Sequence, residues 1–278
     1  MIQAYPHTLP VNPIGIFDSG LGGLTSVMAI RDILSQESII YFGDTARTPY
    51  GSKSVETIQK FSGQIVKFLL EQGVKTIVIA CNTVSSSSLD YLQKNFPSVS
   101  FIDIIGPMVE ALPKIVASDA SLAIIGTEVT IASGVYQKKI SSVLPETMIR
   151  AQACPLFVNM IEEGLVDDPV MDSLIHKYLD DLMANKPDYL ILGCTHYPLI
   201  GHRIEKLYPG VKLLNPASYQ ALALKSSLTR EGLLAQPDQQ ASFSFYASDL
   251  SPIFQNMISR IMSDQNGRDS VDFTELKL

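Results

Sequence analysis

The sequence has no apolar run long enough to span a bilayer, no short-period repeat and no low-complexity stretch. A helical membrane protein and a repeat array are therefore excluded. Basic residues are in the minority: 21 Lys and Arg stand against 28 Asp and Glu, a net charge of −7. A general nucleic-acid binder would carry a basic face instead. A small anionic ligand remains compatible, because the local field of a pocket can oppose the net charge. Cysteine occurs only three times, at Cys81, Cys154 and Cys194. An odd count without a Cys-x-x-Cys pair is no disulfide framework or redox couple, and it fits free thiols in a reducing compartment, by default the cytoplasm. Met1 to Pro13 has neither a basic start nor an apolar stretch, so no secretion signal is expected.

What is present is a core. Hydrophobic residues make up 46% and charged residues 18% of 278, enough for two modest domains or one large one. Apolar runs without alternation read as buried strands at 14–18, 38–43, 76–80, 99–105, 121–126, 189–193, 211–214 and 242–247, with a further strand at 147–152. Segments with helical spacing separate them, including 55–72, a helix from Cys81 to about Asn95, 108–117, 156–164, 170–184, 216–234 and 251–263. The end, Asp264 to Leu278, is polar and reads as loose. Alternating strands and helices predict parallel sheets covered on both faces, in two similar domains with a cleft between the carboxyl ends of their strands. The pattern leaves two boundaries open. Either the chain divides near residue 106, or its C-terminal elements return to the first domain.

Two stretches echo each other: Thr76-Ile77-Val78-Ile79-Ala80-Cys81-Asn82-Thr83 and Tyr189-Leu190-Ile191-Leu192-Gly193-Cys194-Thr195-His196. Each is a strand, a small residue, a cysteine and then polar residues that can open a helix. A thiol at a helix start lies near free backbone N–H groups, which favour thiolate. A single such cysteine reads more readily as a small buried hydrophobe, and Cys154, outside this context, reads that way. Two in matched surroundings point to chemistry. Zinc needs four ligands, and Cys81, Cys194 and His196 supply three. Acyl transfer, with His196 as base, leaves the second cysteine idle. Opposed thiols passing a proton through a substrate carbon employ both.

The flanking residues suit a small acid. Asn82, Thr83, Thr195 and His196 offer donors at two helix starts, although capping alone also accounts for them. Asp18-Ser19 ends the first strand in the same layer, as a turn cap or as a group that tunes a thiol. Gly20, Gly22 and Gly23 do not form a dinucleotide loop, since the third glycine would fall on Thr25 and no Gly-Lys-Ser/Thr follows. They read as a tight strand-to-helix turn. Tyr50-Gly51 lies in a Pro-containing loop that would line the mouth of the cleft or form a plain surface turn.

Taken together, these motifs resemble the glutamate racemase family of the cofactor-independent aspartate/glutamate racemase superfamily. The matching stretches are Ile14 to Thr25, Tyr41 to Arg47 with Pro49-Tyr50-Gly51, Ile79 to Thr83, Ile125-Gly126-Thr127 with Thr130, Ala153 to Val158 with Glu162-Glu163-Gly164, and Leu192 to Leu199. The resemblance implies two three-layer α/β/α domains with mostly parallel sheets, 1–106 plus 215–278 and 107–214, with the active site in the cleft between them. It implies interconversion of L- and D-glutamate without pyridoxal phosphate or metal, supplying D-glutamate for peptidoglycan. Cys81 would take the proton from D-glutamate and Cys194 from L-glutamate. Asp18, His196 and Glu163 (or its neighbour Glu162) would support them. Substrate contacts would fall on Asp18, Ser19, Tyr50, Gly51, Asn82, Thr83, Thr127, Thr130, Thr195 and His196. Aspartate or another small acid as substrate, or a binding protein on the same fold, are the rival readings. No nucleic-acid or membrane partner is expected, and a homodimer is compatible with the sequence. One departure stands out: Leu214-Asn215-Pro216 replaces the Ile-Asp that many members carry after the second cysteine motif.

Overall fold

The computed structural model describes residues 9–263 and 271–278. The first half runs β1 (Ile14–Asp18), α1 (Leu24–Ile33), β2 (Ile39–Gly43), α2 (Val55–Glu71), β3 (Thr76–Ile79), α3 (Asn82–Ser87), α4 (Leu89–Asn95), β4 (Phe101–Asp103) and α5 (Ile105–Ile115). Next come β5 (Ser121–Gly126), α6 (Glu128–Ala132), α7 (Val135–Val143), β6 (Met148–Ala153), α8 (Pro155–Glu162), α9 (Pro169–Met183) and β7 (Tyr189–Gly193). The chain closes with α10 (Gly201–Leu207), β8 (Lys212–Leu214), α11 (Pro216–Glu231), β9 (Phe243–Ala247), α12 (Pro252–Ser263) and β10 (Val271–Glu275).

Among the described residues the strands form two sheets, ordered β10-β9-β2-β1-β3-β4 and β6-β5-β7-β8. Every pairing is parallel. β1, β2, β3 and most of β5 and β7 are buried along their length, as strands covered on both faces must be. Parallel order brings all carboxyl ends of a sheet to one edge; Asp18 ends β1 there, and Asp44, Cys81, Thr127 and Cys194 follow their strands. The first sheet draws strands from both ends of the chain, since β9 pairs with β2. No helix among the described residues is long and apolar enough to cross a membrane.

The opposite edge of the first sheet holds a buried ion pair. Lys75, just before β3, places Nζ 2.5 Å from the Glu37 carboxylate, and both side chains are almost fully enclosed. The same ammonium donates to the carbonyls of Pro10 (2.7 Å) and Leu233 (2.8 Å), while Glu37 accepts from the Ala235 N–H at 2.8 Å. The pair thereby joins the approach to β1 to the segment that returns after α11. Such an arrangement is tolerated in a dry interior because all its charge is met by specific partners.

Two expectations fail locally. The helix after Cys81 is broken at Ser88, which adopts φ −133° and ψ −3°. The hydroxyls of Ser86 and Ser87 donate back to the Thr83 carbonyl, at 3.1 and 2.6 Å, and compete with the helical ladder. The polar end is not loose throughout: Val271–Glu275 is an edge strand on β9, with Phe273 stacked on Phe245. An edge strand has a solvent side, so polar residues fit it. Residues 264–270, and Met1 to Thr8 of the segment read for a secretion signal, lie outside the described residues.

Lys75→Met leaves the Glu37 carboxylate buried without its cation and is expected to cost about 3–5 kcal/mol of stability in urea unfolding. Replacing both residues with apolar ones is expected to cost distinctly less. A single variant as mild as the double would mean that the pair is not enclosed in solution.

Candidate active site

Asp18 ends β1 fully buried, and its carboxylate organises the turn that follows. Oδ2 accepts the backbone N–H groups of Gly20 (3.1 Å) and Gly23 (3.0 Å), and Oδ1 accepts the Thr195 hydroxyl at 3.2 Å. Burial raises the Asp18 pKa, against the opposing pull of His196 and the two turn amides. The glycines serve contact rather than unusual backbone. A Cβ on Gly22 would lie 2.4 Å from His196 Nδ1 and 2.6 Å from the Thr195 hydroxyl. The turn therefore lies directly on the motif carried by the second sheet, and only a residue without a side chain permits that approach.

Cys81 leaves β3 and caps α3, its carbonyl accepting the Ser85 N–H. Its thiol donates to the Ser19 hydroxyl at 3.6 Å. The helix start was expected to favour thiolate, but burial, with the charge of Asp18 behind it, pushes the Cys81 thiol up to about 12. The Val84 N–H and Ser19 only partly offset this, and charge on Cys194 adds to the rise. The structure corrects the expectation because desolvation outweighs a one-turn helix end.

Cys194 follows β7 in a different setting. Its sulfur lies 3.7 Å from His196 Nδ1, and His196 Nε2 lies 2.6 Å from Glu162 Oε1. Burial disfavours the imidazolium, but hydrogen bonds to Cys194 and Glu162 prevail and raise the His196 pKa well above the usual value. Glu162 also accepts the Leu21 N–H at 3.1 Å, so one carboxylate ties the histidine to the glycine turn. Here the sequence-based assignment needs correction: Glu162 makes these contacts, whereas Glu163 follows the end of α8 with its side chain exposed.

The remaining candidates divide between the two sides. Thr83 shares a 3.0 Å hydrogen bond with Thr127, which donates to Thr130 at 3.0 Å and caps α6. Gly51 lies against Thr127, where a Cβ would approach within 2.5 Å. Tyr50 is buried rather than part of a plain surface turn, and its hydroxyl donates to Asp44. Asp44 also accepts Arg47 Nε and the Ser248 hydroxyl, so the loop after β2 is held from the end of β9. Asn82 accepts the Tyr136 hydroxyl at 2.7 Å through Oδ1, and its Nδ2 has no partner among the described residues. Asp44 and Tyr136 were not singled out for the site; an acid at a strand end was visible, but a tyrosine on a helix reads as core. Asn215, at the departure noted above, caps α11 by accepting the Ala217 N–H. Cys154 is buried in the same core cluster as Cys194, has none of these side-chain partners, and burial, with the charge of Cys194, raises its thiol pKa.

The site thus offers two thiols delivered by different sheets, each with its own acid or base beside it. The Asp/Glu/hydantoin racemase family model matches residues 25–224 of the chain. A glutamate racemase of Neisseria meningitidis is 40% identical over 250 residues, 90% of this chain and 92% of that protein. A glutamate racemase of Thermus thermophilus is 41% identical over 240 residues, covering 86% and 89% of the two chains. Among solved structures, glutamate racemase from Francisella tularensis in complex with D-glutamate superposes with a TM-score of 0.86 and 37% identity, over 97% of this chain and 98% of that one.

A thiol well below its pKa exposes about tenfold more thiolate per pH unit. Iodoacetamide labelling of Cys81, followed by peptide mapping, is accordingly expected to accelerate through pH 7 to 10 without a plateau. Levelling off near the ordinary thiol range would contradict the buried, charge-repelled setting of Cys81.

Proposed function

We propose, since the chain belongs to the Asp/Glu/hydantoin racemase family and resembles glutamate racemases over about nine-tenths of its length, that it interconverts L- and D-glutamate. The observation that carries the reading is the pairing of two unlike thiols: Cys81 beside Ser19 and Asp18, and Cys194 beside His196 and Glu162. Inversion at Cα needs a base on one face and an acid on the other. In the L-to-D direction the Cys194 sulfur takes the Cα proton as the C–H bond breaks. The electron pair moves toward the α-carboxylate, and the Cys81 thiol delivers its proton to the opposite face. The resting protonation of Cys81 suits this direction, because its raised pKa keeps the donor proton in place. In the D-to-L direction the two roles exchange.

Charge developing on the α-carboxylate must be met by donors already in position. Asn82, Thr83 and Thr195, with Ser19 beside Cys81, are the groups we assign to this task. His196, held protonated by its two partners, keeps positive charge beside the Cys194 sulfur when that sulfur is ionised. Thr127, Thr130, Tyr50 and Gly51 are assigned to the far end of the substrate. We read the two sheets as the cores of two domains, 1–106 plus 215–278 and 107–214, with substrate between them. Three free cysteines agree with work in the cytoplasm, where D-glutamate would enter peptidoglycan synthesis.

Cys81→Ala and Cys194→Ala are each expected to lower turnover by more than about a thousandfold in a circular-dichroism assay with either enantiomer. Their melting curves should stay close to that of the parent. Near-normal turnover by either variant would end the two-thiol reading, and faster turnover of L-aspartate than of L-glutamate would redirect the substrate. Glu162→Gln is expected to reduce kcat/KM about a hundredfold, and Glu163→Gln to change it less than about twofold. The reverse ranking would restore the role to Glu163.

A further inference from the structure

Asn82 combines two facts that belong together. It is 2% exposed, yet its Nδ2 finds no hydrogen-bond partner among the described residues. Its Oδ1 accepts from the Tyr136 hydroxyl at 2.7 Å. An amide group buried with both its hydrogens unmet is costly unless a ligand meets them. The direction in which those hydrogens point is fixed by what holds the oxygen.

Tyr136 is built for that hold. It lies in the second turn-forming position of α7, is 1% exposed, and belongs to the apolar cluster of the second sheet with Ile124, Ile140 and Ile191. Its ring packs against the strand that delivers Cys194: a Cβ on Gly193 would lie 3.3 Å from Tyr136 Cε2. The ring is therefore anchored on one side of the site and the hydroxyl reaches to the other. Burial, with the charges of Asp103 and Cys194, raises the phenol pKa well above the ordinary value, so the hydroxyl keeps its proton and donates. A proton on that oxygen needs an acceptor, and the amide oxygen is the acceptor it has. The NH₂ group is thereby turned away from Tyr136.

We infer that Tyr136 is a positioning residue: its hydroxyl fixes the Asn82 amide so that Nδ2 donates to a carboxylate of the bound amino acid. The inference rests on the racemase reading above. Asn82 directly follows Cys81, and a base must lie beside Cα, so the carboxylate it meets is the α-carboxylate. That group gains negative charge as the proton leaves, and a donor held toward it strengthens during the reaction. Without the tyrosine hydroxyl the amide is free to turn its oxygen toward the carboxylate, where it repels.

The test is a double-mutant cycle on the full chain, with both enantiomers assayed by circular dichroism. Tyr136→Phe keeps the ring and its packing. It is expected to lower kcat/KM roughly tenfold, equally in the two directions, because enantiomers have an equilibrium constant of one. In an Asn82→Ala background the same change is expected to have almost no further effect, which a purely structural role for Tyr136 would not produce. Asn82→Asp, which can still accept from Tyr136 but cannot donate, is expected to lose at least as much activity as Asn82→Ala. The inference is overturned if Tyr136→Phe keeps parental kcat/KM, if it loses the same factor in the Asn82→Ala background, or if Asn82→Asp stays active. Failure of the racemase reading itself would show differently, as no racemisation by the parent chain.

Discussion

The site depends on one buried carboxylate. Asp18 ends a central strand out of contact with water, and three directed hydrogen bonds meet its oxygens. Two of them close the turn after β1, and the third comes from Thr195, which follows β7 of the second sheet. The turn so closed brings Gly22 onto His196, and Leu21 onto Glu162. The same carboxylate helps hold Cys81 as a thiol. One group therefore connects the order of the turn, the approach of the two sheets and the protonation of Cys81.

In the proposed reaction the two thiols perform mirror-image tasks in unlike surroundings. Cys81 is surrounded by apolar core and a carboxylate, and Cys194 has a histidine within reach that is itself held by Glu162. Racemisation is symmetric in its end points but does not require symmetric groups. It requires that each complex hold one proton between two sulfurs.

Much of this was legible in the residues because strands and their ends leave local marks. Apolar runs ending in a small residue and a cysteine appear twice, and the parallel sheets place both cysteines at carboxyl ends. What was not legible is tertiary. Nothing near Cys81 in the chain announces that Asp18, on another strand, lies close enough to oppose its ionisation. Glu162 and Glu163 are adjacent at a helix end, and a rotation of about 100° per residue separates a partner of His196 from a solvent-facing acid. Val271–Glu275 looked like tail because an edge strand has half its surface in water, and the glycines looked like turn formers when their service is close contact. Tyr136 gave no signal, since a buried aromatic on an amphipathic helix is ordinary core until its hydroxyl is seen to reach Asn82.

The central claim is that two groups, one on each face of Cα, handle two different protons. The most direct measurement is racemisation started from L-glutamate alone in deuterium oxide, with the isotopic content of each enantiomer followed by mass spectrometry at early times. A two-base reaction places deuterium at Cα of the D-glutamate formed while the remaining L-glutamate keeps its protium. Deuterium appearing at the same early rate in both enantiomers would contradict it, because a single exchanging base returns solvent hydrogen to either face.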